Sequence, residues 1–396
     1  LLFGKIVLLF FHQDEYLRYI VVINENVKRK IIPVAGGKGG VGKTFLVSNL
    51  SIALAENGKD AVAVDLDLGS SNLHTFLGIK NTSSGVGNLL CRKRMSFQEL
   101  LVPTSYDKLR FVPGDALVSG LSNILFAQKK RIVDGILSID AEYIIIDLGS
   151  GTNSTILDFF LISNSGFIVT SPLTTSILNA YSFLKALLFR FFLRAFAEQN
   201  EIIKYLKSVM KEKKPGSSAP VSEILRKISR IDRKAGEKAE NYMKILQPKI
   251  VVNLAKTPDD LLIVDKLRDL IHESLSLDVE CMGVVYSDSA VDSALAANRP
   301  LAEFERSSIA YRDVERISLK IIQSDKFPQM PLDLSYYKDS FELAQIEAQN
   351  DWEEMQAVER SKEEVDAGDL IAVMSAQKRK ISELQGIIRN LTMGRG

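Results

Sequence analysis

The chain of 396 residues contains two cysteines, one tryptophan and three histidines, and the first scarcity already removes a class of explanation. Cys91 and Cys281 lie far apart and in no CxxC spacing, which argues against a disulfide framework or a structural zinc site and suits a reducing cytoplasm. No uninterrupted apolar run reaches the roughly 18 residues that cross a bilayer. The longest, Leu1 to Phe11, is broken by Lys5 and followed by His12, Asp14 and Glu15. No small-residue cleavage pattern follows it, so a signal peptide is not expected. Charge of one sign is lacking as well. With 50 Lys plus Arg against 49 Asp plus Glu the formal net charge is +1, and the mean hydropathy is +0.05, the balance of an ordinary soluble chain.

Against this bland background one segment stands out. Gly37 to Thr44 reads GKGGVGKT, the GxxxxGK[ST] phosphate-binding pattern with an added lysine, Lys38, after the first glycine. In such a loop the backbone N–H groups of Gly37, Gly39, Gly40, Val41 and Gly42 would wrap a nucleotide phosphate, and a Cβ would block that approach. Lys43 would reach the β and γ oxygens, and the Thr44 hydroxyl would ligate Mg²⁺. The context agrees with the motif. Ile31, Ile32, Val34 and Ala35 read as a buried strand ending at the glycines. After the loop, Leu46, Val47, Leu50, Leu54 and Ala55 fall at helical spacing, with Gly58 as the terminating residue. A helix N-terminus therefore points at the phosphates.

The next strands bring carboxylates. Ala61 to Val64 leads into Asp65-Leu66-Asp67-Leu68-Gly69-Ser70-Ser71-Asn72-Leu73, whose two acids at i and i+2 would face the ligand end of an open α/β sheet. Tyr143 to Ile146 closes on Asp147-Leu148-Gly149-Ser150-Gly151. This has the form of a strand whose acid holds the magnesium shell, with Gly149 or Gly151 letting a backbone N–H approach the γ-phosphate.

Taken together, the GKGGVGKT loop, the DxDxGxxNL segment and the IIIDxGxG strand resemble the deviant-Walker ATPases of the MinD/ParA superfamily, nearest its MinD and FlhG branch, from about Ile31 to about Phe304. The resemblance implies an α/β fold, a predominantly parallel sheet flanked by helices, and ATP or ADP with Mg²⁺ as the ligands. It implies that Lys38 crosses an ATP-sandwiched homodimer to the partner's nucleotide, and that Lys43 and Thr44 form the ordinary P-loop pair. Asp67 would position the attacking water, and Thr44, Asp65 and Asp147 would belong to the magnesium shell. Asp65, Asn72, Gly149 and Gly151 fall in its switch segments. Asn253, at the end of Val251-Val252-Asn253, would read the adenine, and the segment Gly283 to Asp288, with Tyr286 and Asp288, would flank it. Tyr286 stands where the family usually has proline, and packing is favoured over stacking on the base. Asn179 stands where many relatives place an acid. The activity implied is slow, partner-stimulated ATP hydrolysis, used to position a flagellum or division site; DNA-segment partition is the alternative. Paired cysteines for an iron–sulfur carrier and a tyrosine cluster for a P-loop kinase are lacking, and an ATP-binding scaffold that barely hydrolyses is the remaining alternative.

The appendages carry the individual character. Residues 1–28 are set apart as an N-terminal extension, 29–305 as the ATPase domain and 306–396 as a helical C-terminal extension. Between Lys185 and Lys249 there are 16 Lys plus Arg against 7 Asp plus Glu, expected as an inserted helical hairpin over about 185–245 with a loop at Pro215 to Ser218. This is either a solvated face or a surface for DNA phosphates or anionic lipid. From Asp339 to Asp369 there are 11 acids against 2 bases. Then Lys378-Arg379-Lys380 precedes Ile381, Leu384, Ile387, Ile388 and Leu391 at helical spacing, either a membrane-binding amphipathic helix or a docking helix. The expected location is the cytoplasm, peripheral at the inner face of the plasma membrane if the tail binds lipid.

Overall fold

In the computed structural model the residues described are 29–323, apart from 81–83, 92–94, 115–123, 125 and 212–219, together with 349, 352, 353, 355 and 356. The extension 1–28, the loop at 215–218 and the C-terminal helix proposed from residue 378 onward lie outside them. The first of two compact units, Leu1–Glu347, holds the fold; Ala348–Gly396 is the second.

The strands β1 (Lys30–Gly36), β2 (Ala61–Leu66), β3 (Val102–Pro103), β4 (Leu109–Val112), β5 (Tyr143–Ser150), β6 (Phe167–Thr170), β7 (Lys249–Ala255) and β8 (Glu280–Tyr286) form one sheet in the order β3-β4-β2-β5-β1-β6-β7-β8. Neighbours are parallel throughout except for β3 against β4. Parallel strands covered on both faces read as continuous apolar runs, and β2 and β8 are buried at every residue. The expected α/β architecture with a mainly parallel sheet is therefore the observed one.

Helix α1 (Lys43–Glu56) is apolar on every side and buried from Phe45 to Ala55, which requires cover both from the sheet and from outside. It ends in a Schellman motif: Gly58, at φ 77°, and Lys59 donate their N–H groups to Ala55 O and Leu54 O. The outer cover comes from near the end of the unit. Helices α2 (Phe126–Leu137), α3 (Ser154–Phe160), α4 (Thr174–Ala195), α5 (Asn200–Lys211), α6 (Val221–Ile231), α7 (Arg233–Ile245), α8 (Leu262–Leu275), α9 (Ser289–Ala296) and α10 (Ile309–Gln323) follow in order. In α10, Tyr311, Val314, Ile317 and Ile321 join the core cluster that includes Leu46, Leu50 and Leu54, and Tyr311 Oη donates to Glu56 Oε2 at 2.5 Å. Helix α10, beyond the boundary expected at 305, is thus part of the packed core.

The basic segment also differs from the expected hairpin. It comprises the second half of α4 and three further helices. Leu187, Leu188, Phe189, Phe191, Phe192 and Phe196 are buried, so α4, the one described helix long and apolar enough to span a membrane, spends that apolarity on the core. Arg190 and Arg194 are not a surface for an outside anion. Both reach the buried Asp158 of α3: Arg190 by Nε to Oδ1 at 2.7 Å and Nη2 to Oδ2 at 2.9 Å, Arg194 by Nη2 at 2.8 Å. Lys129 of α2 adds Nζ to Oδ2, also at 2.8 Å.

Burial raises the cost of the Asp158 charge, but the Arg190 hydrogen bonds, the Arg194 charge and the Lys129 contact outweigh it and hold its pKa below 3.8. A depressed carboxylate stabilises the fold fully above its unfolded value, and that contribution is lost as pH falls through the folded value. Asp158→Ala, which strands three cations, should lower the unfolding free energy by about 3–5 kcal/mol. Urea titrations at neutral pH check this, and the variant should lose much of its stability difference from the parent at the acid end.

Candidate functional site

The site is built where β1, β2 and β5 end. Pairing of β2 with β5 sets Asp65 opposite Asp147 in register, while Val34 of β1 is the other partner of Asp147. The chain leaves β1 through the glycine loop and enters α1 from Gly42, which sits at φ 84°. The glycine at this position has a second cause beside phosphate access. A Cβ on Gly42 would stand 2.0 Å from Asn253 Nδ2, and one on Gly37 would stand 2.1 Å from the Asn179 carbonyl oxygen. Close packing of the loop against β7 and α4 thus demands glycine at two of its four positions.

Lys43 and Lys38 have opposite surroundings. Lys43 is 7% exposed and donates from Nζ to Ser150 Oγ at 2.7 Å. Burial lowers its pKa, against the opposing charges of Asp147 and Asp67. Lys38, with Gly39 and Gly40, is exposed.

The three acids do different work. Asp65 is buried, and its Oδ2 accepts from Ser71 Oγ at 2.7 Å and from Leu73 N at 3.2 Å, while Oδ1 accepts from Asp67 N at 3.1 Å. It therefore braces its own loop, and burial, partly offset by these bonds, raises its pKa to about 6. Asp147 is 1% exposed with both carboxylate oxygens lacking a hydrogen-bond partner of good geometry. Burial first and the Asp65 charge second push its pKa up to about 8, against the pull of the Thr44 hydroxyl and of Lys43. Asp67 is half-buried beside Gly149, where a Cβ would come within 3.1 Å of its Oδ1. A buried, unpartnered carboxylate next to a hydroxyl is a donor set that fits a hard cation such as Mg²⁺, and Asp147 with Thr44 meets that description.

The remaining expected residues divide. Asn72 is exposed at the start of a short helical turn and makes no capping bond with its side chain. Gly151, at φ 98°, donates its N–H to Gly36 O at 3.3 Å. Asn253 is buried and donates from Nδ2 to Val41 O at 2.9 Å, tying β7 to the loop. Tyr286 is 2% exposed, so its ring packs inside the fold and gives no platform for a base. The Asp288 carboxylate caps α9 through Ala290 N at 2.9 Å and accepts from Ser308 Oγ at 2.6 Å; it joins α9 to the start of α10. Two residues that entered the site in unforeseen ways are Ser150, read only as part of the strand end, and Asn179, noted for the acid it replaces but placed here by the packing of its backbone and Cβ against Gly37.

Comparison with known proteins accords with this arrangement. The sequence model of the CobQ/CobB/MinD/ParA nucleotide binding domain matches residues 32–301. Over 148 residues the chain is 34% identical to the septum site-determining protein MinD of Helicobacter pylori, covering 37% of this chain and 54% of that protein. Over 159 residues it is 33% identical to the flagellum site-determining protein YlxH of the same organism, covering 39% and 53%. The matched stretch thus spans about half the length of these curated relatives. Among solved structures, the ParA family ATPase from Chlorobium tepidum superposes with a TM-score of 0.50 at 16% identity, over 74% of this chain and 98% of that one. That likeness bears on the fold. With a family match over most of its length and the loop geometry described above, the chain belongs to the CobQ/CobB/MinD/ParA nucleotide-binding domain family.

Proposed function

We propose that this chain is a Mg²⁺-dependent, ATP-binding and ATP-hydrolysing switch that dimerises on the triphosphate and thereby positions a larger machine in the cell. The observation that carries this reading is the contrast between the two lysines of one loop. Lys43 is buried at 7% exposure and bonded within its own chain, whereas Lys38 is exposed on the rim. A buried lysine among carboxylates serves the nucleotide of its own subunit. An exposed one on the same loop offers its charge to a second copy. On α4, whose Asn179 packs on Gly37 of the loop, Leu173 at the N-cap and Leu178 are 63% and 53% exposed, apolar surface that a partner copy would cover.

In this mechanism Thr44 and Asp147 would hold the metal, with Asp65 behind them fixing the loop that carries Asp67. When bound, the ion withdraws charge from the phosphates and fixes their orientation. Lys43 neutralises charge developing on the phosphate oxygens, Asp67 orients the attacking water, and Asn253 stands at the base end. Lys38 of a second subunit completes the positive field only in the dimer, so hydrolysis in the monomer is slow and responds to partners. The machine is a division site or a flagellum, the tasks named for the two relatives, with the chain in the cytoplasm and held at the inner face of the plasma membrane by its C-terminal segment.

A second reading, partition of DNA segments, draws support from one observation. Lys204, Lys207 and Lys211 of α5, Arg226, Lys227 and Arg230 of α6, and Arg233 and Lys234 of α7 are exposed. If these cations bind phosphates, affinity for nonspecific duplex DNA should fall steeply between about 50 and 200 mM salt. Lys204→Glu with Lys207→Glu should reduce both affinity and salt slope in fluorescence anisotropy.

For the switch itself, Lys38→Ala should retain ATP binding while losing ATP-dependent dimerisation and hydrolysis. Light scattering with ATP and Mg²⁺ measures this, and undiminished dimer formation would refute the role.

Asp147 yields a pH prediction. Folding raises the pKa of Asp147 to about 8 and of Asp65 to about 6, from 3.8 in each case. The folded chain therefore keeps protons that the unfolded chain has released, and stability falls as pH rises through that window, by up to about 1.4 kcal/mol per pH unit for one proton. Asp147→Asn should flatten this slope, stabilise the nucleotide-free chain near pH 8, and abolish stabilisation by Mg²⁺ with ATP. Thermal melts across the window, with and without the ligands, test all three.

A further inference from the structure

The hydroxyl that accepts from Lys43 is not required by the backbone that carries it. Ser150 ends β5 and pairs with Gly36 of β1 beyond the register shift between Val34 and Gly36. Its side chain is exposed, and its φ is not among those in the left-handed region, so alanine would suit the same backbone. Yet Oγ is not turned away into solvent. It accepts from Lys43 Nζ at 2.7 Å, and it lies 3.7 Å from where a Cβ on Gly39 would stand. The hydroxyl therefore lies over the glycine loop, on the one side chain of that loop that is committed to phosphate. Gly151, just after it, is clamped by its N–H to Gly36 O at 3.3 Å, which fixes the Ser150 backbone at the rim.

An oxygen already bonded to the Lys43 ammonium marks the place where the phosphate oxygens sought by that ammonium must gather. A hydroxyl can accept one hydrogen bond and donate another, so the same group that accepts from Lys43 can also donate to a phosphate. We infer that Ser150 supplies a hydroxyl donor to the terminal phosphate of a bound triphosphate, and so makes the site prefer ATP to ADP. The inference rests on the nucleotide reading above and adds to it a residue that discriminates between the two nucleotide states. The residue reads the γ-phosphate from within the subunit, whereas Lys38 acts between subunits.

The test compares affinities of the full chain for ADP and for a non-hydrolysable ATP analogue, each with Mg²⁺, by calorimetry at concentrations where light scattering shows monomer. Ser150→Ala should reduce the ratio Kd(ADP)/Kd(ATP analogue) by about tenfold, the worth of a hydrogen bond to a charged group, and Ser150→Thr should keep it. Loss of the hydroxyl as acceptor frees Lys43 for the β and γ oxygens, which by itself would raise the preference for the triphosphate, so a fall in the ratio reports the lost donor. A ratio unchanged in Ser150→Ala, or lost equally in Ser150→Thr, overturns the assignment. A parent chain that binds neither nucleotide overturns the nucleotide reading itself, and is told apart from the other outcomes by that fact alone.

Discussion

Two carboxylates set side by side inside a sheet are the constraint from which the rest of the site follows. Pairing of β2 with β5 puts Asp65 and Asp147 in register on adjacent strands, and both are essentially without solvent. Such a pair cannot be doubly charged at low cost. Asp65 is relieved by Ser71, Leu73 and the Asp67 backbone, which converts its burial into a fixed shape for the loop carrying Asp67. Asp147 has no comparable set of donors. Its relief has to come from a proton, from Lys43 or from a cation supplied from outside, and the loop delivers Lys43 to the same spot. A buried acid pair with one member so poorly partnered is the local rule-breaking expected where a fold carries a function.

What the sequence revealed of this, and what it concealed, follows from distance along the chain. The glycine loop, the DxD segment and the strand ending at Asp147 are each contiguous, so periodicity and residue type were enough to place them on strand ends and a helix start. The residues that join distant segments could not be seen that way. Asp158 sits in an ordinary-looking Leu-Asp-Phe-Phe run, and its three cations come from positions 29, 32 and 36 residues away. Charge counting alone assigned Arg190 and Arg194 to a surface because it could not know that a buried acid lay opposite. Tyr286, for which packing was favoured over stacking, is core, whereas Asp288, drawn toward the ligand by its position after the last strand, is a helix cap bonded to Ser308. Helix α10 was set apart with the C-terminal extension because the resemblance ended near Phe304, and only the structure shows Tyr311, Val314, Ile317 and Ile321 packed in the core.

Helix α3 gives these parts a mechanical relation. It begins at Asn153, whose side chain accepts from Thr155 N and Ile156 N at 3.0 Å each, directly after the Gly149 to Gly151 turn that rims the site. Seven residues on from Gly151, it presents Asp158 to α2 and α4. A displacement of the turn is therefore carried into a charge cluster whose members cannot separate cheaply, and α4 leads straight into the basic helices α5 to α7. The nucleotide end and the basic end share one short, doubly anchored element.

The same element limits what can move. Asp158 is held by three cations on two helices and is buried in full, so a small shift of α3 has to be shared by α2 and α4 or be refused. Packed interiors of this kind switch between arrangements rather than bending continuously. β7 and α4 are pinned to the glycine loop by the Asn253 bond to Val41 O, by the close approach of Asn253 to Gly42 and by that of Asn179 to Gly37. The same α4 that holds Asp158 through Arg190 and Arg194 therefore also packs on Gly37 of the loop, so the phosphate cradle and the Gly149 to Gly151 turn rest on one shared helix. Of the polar groups on that turn, the Gly151 N–H is already given to Gly36 O, which leaves the Ser150 hydroxyl, bonded to Lys43, as the one set against the loop.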